Sequence, residues 1–279
     1  MDGKVCVVTG ANAGIGLATA VGLAELGATV VMVCRSQARG EAAVQEVQER
    51  TGNDAVHLLL ADLASLAEVR QVAATFKQQF DRLDVLINNA AVITLKREVT
   101  VDGLERQFAV NHLAPFLLTN LLLDDLKASA PSRIVNVSSG VHAAAHIDFA
   151  DLQSNKRYRR SEVYGRTKLM NVLFTKELTR RLVGSGVTAN ALHPGVPATK
   201  LSKNYSGREM PASASFAELQ EAAQTSIYLA TSPEVAGVSG KYFANSRERD
   251  SSIASQDADT ARRLWEVSTQ LTNLTDTSL

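Results

Sequence analysis

Short apolar runs rich in β-branched residues alternate with segments of helical periodicity along the chain, and this alternation constrains the fold more than any other feature. The runs predict strands over residues 4–9, 29–34, 55–60, 83–87, 132–138, 187–192 and 239–245. The intervening segments predict helices at about 14–27, 38–51, 65–81, 101–128, 161–184, 216–231 and 258–271. Strands and helices that alternate in this way form βαβ units, in which helices cover both faces of a parallel sheet. We therefore expect one α/β domain over residues 1–279, with a doubly wound parallel sheet of about seven strands.

The composition excludes several classes of protein. Hydrophobic residues make up 45% of the chain, which is enough for a full core. The 29 basic and 29 acidic side chains balance, so nothing favours a nucleic acid or an anionic membrane as partner. No apolar run reaches the length of a membrane span, and the first strand starts too early for a signal peptide. We expect a cytoplasmic protein in which Cys6 and Cys34 are free thiols.

A glycine-rich loop, Thr9-Gly10-Ala11-Asn12-Ala13-Gly14-Ile15-Gly16, follows the first predicted strand. Glycines there let the backbone approach a ligand closely, and the next helix offers free N–H groups to a pyrophosphate. The spacing differs from the usual G-x-G-x-x-G, so the loop alone could be a tight turn without a ligand. Its place in the first βαβ unit favours dinucleotide binding.

The second predicted strand ends on Cys34-Arg35-Ser36. An acidic residue at this point binds the ribose 2′-hydroxyl of NAD, whereas an arginine accommodates the 2′-phosphate of NADP. Since the acidic position holds Cys34 and Arg35 follows, the sequence favours NADP(H), although Arg35 could be an ordinary exposed arginine. Asp62, after the third strand, is either a turn residue or a ligand contact.

Tyr164 and Lys168 lie four positions apart on a predicted helix and therefore share a face. A lysine ammonium beside a phenol should lower the phenol's pKa and make Tyr164 usable as an acid or base. Such a pair arises by chance too easily to stand alone. Polar residues at other strand ends, where ligands bind in such sheets, support it: these are Ser138-Ser139, Asn88-Asn89 and His193-Pro194-Gly195, together with Asn111 within an apolar helix.

In their order and spacing these motifs resemble the short-chain dehydrogenase/reductase family. The resemblance implies a Rossmann-type sheet with residues 4–135 mainly binding the cofactor and residues 136–279 carrying the catalytic and substrate part. It implies that Ser139 hydrogen-bonds the substrate oxygen, Tyr164 transfers the proton, Lys168 holds the ribose and tunes Tyr164, and Asn111 anchors a water that links Lys168 to solvent. The cofactor-binding positions it implies are Thr9, Gly10, Asn12, Ala13, Gly14, Ile15, Gly16, Arg35, Ser36, Asp62, Leu63, Asn89, Ala90, Tyr164, Lys168, Pro194, Gly195, Val196 and Thr199.

The stretch between Ser139 and Tyr164 is wider than in most of that family, and it resembles the retinol dehydrogenases and the WW-domain oxidoreductase. The resemblance implies an NADP(H)-dependent oxidoreductase that interconverts an apolar aldehyde or ketone and its alcohol. Two alternatives stay open. A C=C reductase would share every motif, since the protochlorophyllide reductases have a similar insert, and a non-catalytic protein that senses NADP(H) would share the fold.

Other segments give weaker expectations. Residues 200–215 have the composition of a lid over a site. Val141, the alanines at 143–145, Val196, Tyr205, Met210 and Phe216 could line an apolar pocket. His142 and His146, near Asp148 and Asp151, form too loose a set for a metal and fit the mouth of the substrate site or an exposed position better, so we expect no metal. Leucines 113, 117, 118, 121 and 122 are either core or a helix-pairing face, and a homodimer is possible.

Overall fold

One eight-stranded sheet runs through the computed structural model, which describes residues 1–206 and 214–275. The strands are β1 (Val5–Thr9), β2 (Thr29–Cys34), β3 (Val56–Leu60), β4 (Val85–Asn88), β5 (Ser132–Val137), β6 (Val187–His193), β7 (Tyr242–Ala244) and β8 (Arg247–Arg249). Their order in the sheet is β3-β2-β1-β4-β5-β6-β7-β8. All neighbouring pairs are parallel except β7 and β8. The predicted doubly wound α/β fold is confirmed, with one strand more than the expected seven.

Helices cover both faces of this sheet. They are α1 (Gly14–Glu25), α2 (Gln37–Thr51), α3 (Leu66–Gln79), α4 (Arg106–Phe108), α5 (Ala114–Leu121), α6 (Leu123–Ala128), α7 (Arg160–Arg181), α8 (Lys200–Ser206), α9 (Phe216–Thr231) and α10 (Ala258–Leu271). A π-helical turn, Ala109–Leu113, joins α4 to α5, and 3₁₀ turns occur at Gly140–Ala144, Pro233–Val235 and Ile253–Gln256.

The core divides into two layers because successive side chains of a strand point to opposite faces. In β1, Val5 and Val7 pack with α3, α5, α7 and Trp265 of α10. Cys6 and Val8 pack on the other face with α1, α2 and α9. Both faces of the strand are thus apolar, as expected for a parallel sheet covered on each side.

The structure corrects the predicted helix at 101–128. Residues 101–105 form a turn in which Gly103, at a φ of +75°, donates its N–H to the Thr100 carbonyl. Val99 and Glu105 then pair across this turn. The helical segment starts only at Arg106, where the buried Glu105 side chain accepts the N–H groups of Gln107 and Phe108.

Ser65, the N-cap residue of α3, makes half of a capping box with Glu68. The Ser65 hydroxyl accepts the Glu68 N–H, but the Glu68 carboxylate turns instead to the backbone N–H of Asp62, 2.7 Å away. A complete capping box occurs at Ser215 and Glu218, where α9 begins.

The leucines on the α5 segment belong to the core. Leu113, Leu117, Leu118 and Leu122 are each at most 2% exposed within the single chain, so the pairing-face alternative does not apply to them. In the part of the chain that the structure describes, no helix is long and apolar enough to cross a bilayer. The homodimer and the cytoplasmic location stay predictions.

Candidate active site

The glycine loop lies where the strand order of the sheet reverses, between β1 and β4. Ligands of doubly wound sheets bind in the crevice at this switch point. The loop folds tightly: a Cβ on Gly16 would lie 2.3 Å from the Gly10 carbonyl oxygen, and a Cβ on Gly10 would lie 2.9 Å from the Ala90 Cα. Only glycine allows these approaches, so the end of β1 and the start of α1 form a cradle of bare backbone.

Thr9 fastens this cradle to the neighbouring strand. Its hydroxyl accepts the backbone N–H groups of Asn89 and Ala90, each at 3.0 Å. The Asn89 amide donates in return to the Thr9 carbonyl at 2.8 Å. Thr9 is buried and does not line the cleft, so the structure gives it a supporting position behind the loop.

A cleft of about 1030 Å³ opens over the loop. Its walls contain twelve of the residues that the sequence predicts for cofactor binding: Gly10, Asn12, Ala13, Gly14, Ile15, Gly16, Arg35, Asp62, Leu63, Asn89, Ala90 and Thr199. The other seven predicted positions lie outside its walls: Thr9, Ser36, Tyr164, Lys168, Pro194, Gly195 and Val196. Most of the predicted set therefore surrounds one cavity that could hold a dinucleotide.

Two arginines stand at the end of β2. Arg35 is half-exposed, and its guanidinium lies 3.7 Å from the Asp62 carboxylate across the cleft wall. Arg39 lines the same wall from α2. Sequence reasoning missed Arg39, which lies on the first turn of α2, the helix that follows β2. The two cations give this end of the cleft the charge that a phosphate group needs.

The end of β5 is tied to α7 by two reciprocal hydrogen bonds. The Ser138 hydroxyl donates to the Lys168 carbonyl at 2.7 Å, and the Lys168 ammonium donates to the Val137 carbonyl at 2.8 Å. Ser138 is almost completely buried, so this serine has a structural position and leaves Ser139 as the serine that faces the site.

Tyr164 and Lys168 lie one turn apart on α7, as the sequence predicts, and both are buried. The Lys168 nitrogen is 5.5 Å from the centre of the Tyr164 ring. Burial lowers the pKa of Lys168 to about 7. An ammonium has three N–H donors, and one of those of Lys168 is directed at Val137, which leaves donors for a ligand.

The expected lowering of the Tyr164 pKa is wrong for this structure. Burial raises the pKa of the Tyr164 phenol, and the nearby Tyr205 phenol raises it further. The reason is that desolvation disfavours the phenolate, while burial also disfavours the charged form of Lys168 that would stabilise it. Tyr164 therefore keeps its proton at neutral pH in the ligand-free protein.

Asn111 lies in the π-helical turn, a distortion that often accompanies functional sites. Its amide donates to the Val92 carbonyl at 3.0 Å and to the Thr167 hydroxyl at 3.1 Å, and its oxygen accepts the Val92 N–H at 2.8 Å. Thr167 in turn donates to the Tyr164 carbonyl. Asn111 thus joins the segment after β4 to the turn of α7 that carries Tyr164 and Lys168.

Ser139 follows β5 and begins the 3₁₀ turn Gly140–Ala144. Its hydroxyl is half-buried and has one weak contact, the Val141 N–H at 3.4 Å. The turn packs on α7 beside Tyr164, since a Cβ on Gly165 would lie 3.5 Å from the Val141 carbonyl oxygen. The structure therefore brings Ser139 to the same corner as Tyr164.

Of the segment 200–215, which the sequence predicts to be a lid over the site, the structure describes residues 200–206 and 214–215. Residues 200–206 form α8, whose Tyr205 ring lies edge-on to the Tyr164 ring with centres 5.8 Å apart. Asn204 donates to the Ile93 carbonyl and so fixes α8 to the segment after β4. Met210 lies outside the described residues. Phe216 does not belong to this pocket because it packs under the guanidinium of Arg50 at the far end of α2.

The histidines near the site do not form a metal centre. His142 is buried, with both ring nitrogens in hydrogen bonds to backbone groups, and His146 is exposed. Across residues 1–206 and 214–275, no cluster of three or more histidine, cysteine or acidic side chains is placed to hold a metal. Cys6 and Cys34 are free thiols, as predicted. The sequence predicted that His142 lies at the mouth of the substrate site or is exposed, and the structure rules out the exposed position because the side chain is buried.

Comparisons with known proteins agree with this geometry. Residues 4–209 match the family model for short chain dehydrogenases. The human protein retinol dehydrogenase 13 is 46% identical, over 98% of this chain and 86% of its own length. A crystal structure of an uncharacterised protein from Mycobacterium paratuberculosis superposes with a TM-score of 0.81 at 34% identity, covering 98% of this chain and 94% of its own. A protein from Beutenbergia cavernae, described as an NAD(P)-dependent gluconate 5-dehydrogenase with bound NADP, has a TM-score of 0.70 at 27% identity, covering 88% and 96%.

Proposed function

The chain belongs to the short-chain dehydrogenase/reductase family, in the branch of the retinol dehydrogenases, and from that premise we propose that it is an NADP(H)-dependent oxidoreductase that interconverts an apolar aldehyde or ketone and its alcohol. One observation carries the proposal: the buried pair Tyr164 and Lys168 lies on α7, where the turn that begins at Ser139 packs. Tyr164 also contacts α8, and α8 lines a dinucleotide-sized cleft whose wall carries two arginines. The catalytic set proposed is Ser139, Tyr164, Lys168 and Asn111.

Each member of this set has a separate task. The nicotinamide, when bound, supplies or accepts the hydride. Tyr164, whose raised pKa keeps its phenol protonated, is in the form that donates a proton to a carbonyl oxygen. The Ser139 hydroxyl, weakly engaged by the protein, donates a hydrogen bond to the same oxygen.

Lys168 stabilises the charge that forms on Tyr164 after proton transfer. Because its own pKa is lowered to about 7, the amine sits near the midpoint of its titration at neutral pH and can respond to a negative charge beside it by taking a proton. Its free donors fit the ribose hydroxyls of a bound cofactor. Asn111 holds the helix turn that carries both side chains, and its proposed water would connect Lys168 to solvent.

The preference for NADP(H) rests on the end of β2. No carboxylate occupies that strand end, where Cys34 is followed by Arg35, and Arg39 adds a second cation to the same wall. The Asp62 carboxylate contacts Arg35 at 3.7 Å and can give up that loose contact when a phosphate binds. The bound NADP of the Beutenbergia protein supports the same choice.

The substrate class follows from the surroundings of Tyr164. The Tyr164 ring packs edge-on against Tyr205, and the Ala145 methyl lies beside Gly165, the next residue on α7, so apolar groups border the place where the substrate oxygen would bind. The name of the human relative, retinol dehydrogenase 13, places retinal and retinol among the first compounds to try.

The test is oxidation of NADPH and of NADH with a panel of carbonyls that contains retinal, medium-chain aldehydes and aryl ketones, with identification of the product. We expect wild type to consume NADPH and form the alcohol, and Tyr164→Phe to lose at least about 100-fold in kcat. Tyr228→Phe is the matched control, because Tyr228 hydrogen-bonds Glu234 at the surface, away from the cleft. Reduction of a C=C bond, or tight NADPH binding without turnover across the panel, would contradict the proposal.

A further inference from the structure

His142 has a partner at each end of its ring. Its Nδ1 lies 2.7 Å from the Ser139 carbonyl oxygen, and its Nε2 lies 3.1 Å from the backbone nitrogen of Ser252. A carbonyl oxygen only accepts and a backbone N–H only donates, so the ring has to be neutral with its proton on Nδ1. The side chain is 3% exposed, and burial lowers its pKa, which agrees with a neutral ring.

The Ser139 hydroxyl depends on this contact for its position. Its own hydrogen bond, from the Val141 N–H at 3.4 Å, is too long to fix it. The main chain of Ser139 is held much more firmly, because its carbonyl accepts both the His142 ring and the His142 backbone N–H, at 2.7 and 3.2 Å. Whatever holds this carbonyl therefore fixes the main-chain position from which the hydroxyl extends.

The other end of the ring reaches a distant part of the chain. Ser252 precedes the 3₁₀ turn Ile253–Gln256, which packs against α7 and against the turn that carries His142. The ring also contacts Tyr242 of β7, with centres 4.7 Å apart. His142 thus joins the serine corner of the site to the C-terminal segment.

We propose that His142 is a positioning residue of this oxidoreductase: its neutral ring holds the Ser139 main chain against Ser252 and so fixes where the Ser139 hydroxyl meets the substrate oxygen. The inference rests on the proposed function for its catalytic consequence. If His142 only filled space, another ring of the same shape could replace it. If it positions Ser139, a replacement must also keep both hydrogen bonds.

Three substitutions of His142 separate shape from hydrogen bonding. His142→Phe keeps a ring and removes both bonds. His142→Asn keeps a donor near the position of Nδ1 and loses the contact to Ser252. His142→Gln places its amide near the position of Nε2 and loses the contact to Ser139.

A backbone substitution tests the far end without touching His142. Ser252→Pro removes the N–H donor, and the φ of −58° at this residue suits proline. Ser252→Ala is the matched control, because it keeps the N–H and removes only a hydroxyl.

We expect kcat for carbonyl reduction to fall about 10- to 100-fold in His142→Phe and His142→Gln, since a displaced donor at the reacting oxygen costs about this much. His142→Asn should recover part of the loss, and Ser252→Pro should lose about fivefold where Ser252→Ala loses nothing. The Kd for NADPH should be unchanged in all five variants, which a general loss of structure would not allow.

The inference would be overturned if the His142→Phe variant had the melting temperature of wild type and also the kcat of wild type. If that variant does not fold, equal kcat in Ser252→Pro and Ser252→Ala would overturn it. Nitrogen NMR of labelled histidine gives a readout that does not depend on turnover. A proton on Nδ1 at pH 7, with an Nε2 signal that moves in Ser252→Pro, is expected, whereas a proton on Nε2 excludes the arrangement. Should wild type bind NADPH and reduce no carbonyl, the proposed function fails while this NMR result still decides the hydrogen-bond pattern.

Discussion

At the scale of single residues, the choice between NADP(H) and NAD(H) should depend on Arg35 and Arg39. We expect Arg35→Ala to raise the KM for NADPH about tenfold, since a charge-assisted contact to a phosphate contributes about that much, and to leave the KM for NADH nearly unchanged. Arg39→Ala should act in the same direction. Arg50→Ala is the control, because Arg50 lies on α2 like Arg39 but packs over Phe216. An equal rise for both cofactors after Arg35→Ala would contradict the assignment.

Gly16 offers a second test at this scale. An alanine Cβ there would clash with the Gly10 carbonyl oxygen, 2.3 Å away. Because this oxygen belongs to the backbone, the clash can be relieved only if the loop moves. We expect Gly16→Ala to destabilise the protein by about 1–3 kcal/mol and to weaken NADPH binding at least about tenfold. Gly22→Ala is the comparison: its Cβ would meet only the end of the Ile227 side chain, which can turn away. Thermal melting and NADPH titration of both variants measure the difference.

The sequence identified candidate site residues where the chemistry requires certain residue types at a fixed spacing. It could not predict properties that depend on the folded environment of a residue. Tyr164, Lys168 and the glycines could be found because their roles require those residue types at those intervals. The raised pKa of Tyr164 could not, because it depends on how completely the folded chain excludes water from that corner. The contacts of His142 could not be predicted either, since its partners, the Ser139 carbonyl and the Ser252 N–H, are backbone groups that leave no mark in the sequence.

At the scale of elements, strands and helices with strong periodicity were placed to within a few residues, and the irregular ones were not. The helix at 106–128 contains a π-helical turn and a break at Leu122, which an apolar run does not reveal. Strand β8 was missed because its three residues, Arg247–Arg249, are charged and exposed. It forms only because Asn245 and Ser246 both adopt positive φ, the geometry of a two-residue hairpin turn.

Helix α10 should contribute strongly to stability through one side chain. Trp265 is 4% exposed and packs on Phe116 of α5, with ring centres 4.9 Å apart, and on Phe174 of α7 at 5.8 Å, while Arg181 lies over its ring. We expect Trp265→Ala to lower the free energy of unfolding by about 3–5 kcal/mol, and Trp265→Phe to lose much less. Denaturant unfolding of the two variants tests this. A loss below about 1 kcal/mol in Trp265→Ala would mean that α10 is only loosely held.

At the scale of the whole molecule, the proposed function would assign cofactor binding and proton transfer largely to different parts of the sheet. The strands before the switch point, β1 to β3, place the glycine loop, Arg35 and Asp62, whereas β5 and α7 place Ser139, Tyr164 and Lys168. The division at residues 135 and 136 expected from the sequence stays a prediction, and Thr199 of the second part lines the same cleft as the glycine loop. Under the proposed function, changes at Arg35 should act mainly on cofactor affinity and changes at Ser139 mainly on kcat, whereas changes at Lys168 should affect both.

Buried histidines should make the folded state sensitive to acid. Burial lowers the pKa of His112 to about 3 and also lowers the pKa values of His142 and His193. Between pH 6.5 and the folded pKa, the unfolded chain takes up protons that the folded chain does not, so stability falls as the pH falls. Each such histidine contributes about 1.4 kcal/mol per pH unit in that window.

The His112→Gln variant isolates one of these contributions. Glutamine can keep a polar contact to Ser268 but carries no titrating group, so the variant should lose stability at pH 7.5 and yet show a shallower decline between pH 6.5 and 4.5. Urea unfolding at several pH values measures both slopes. An unchanged slope would mean that His112 takes up its proton in the folded protein as readily as in the unfolded chain. The ring would then have to be hydrated, which is incompatible with its place between Phe108 and Phe174.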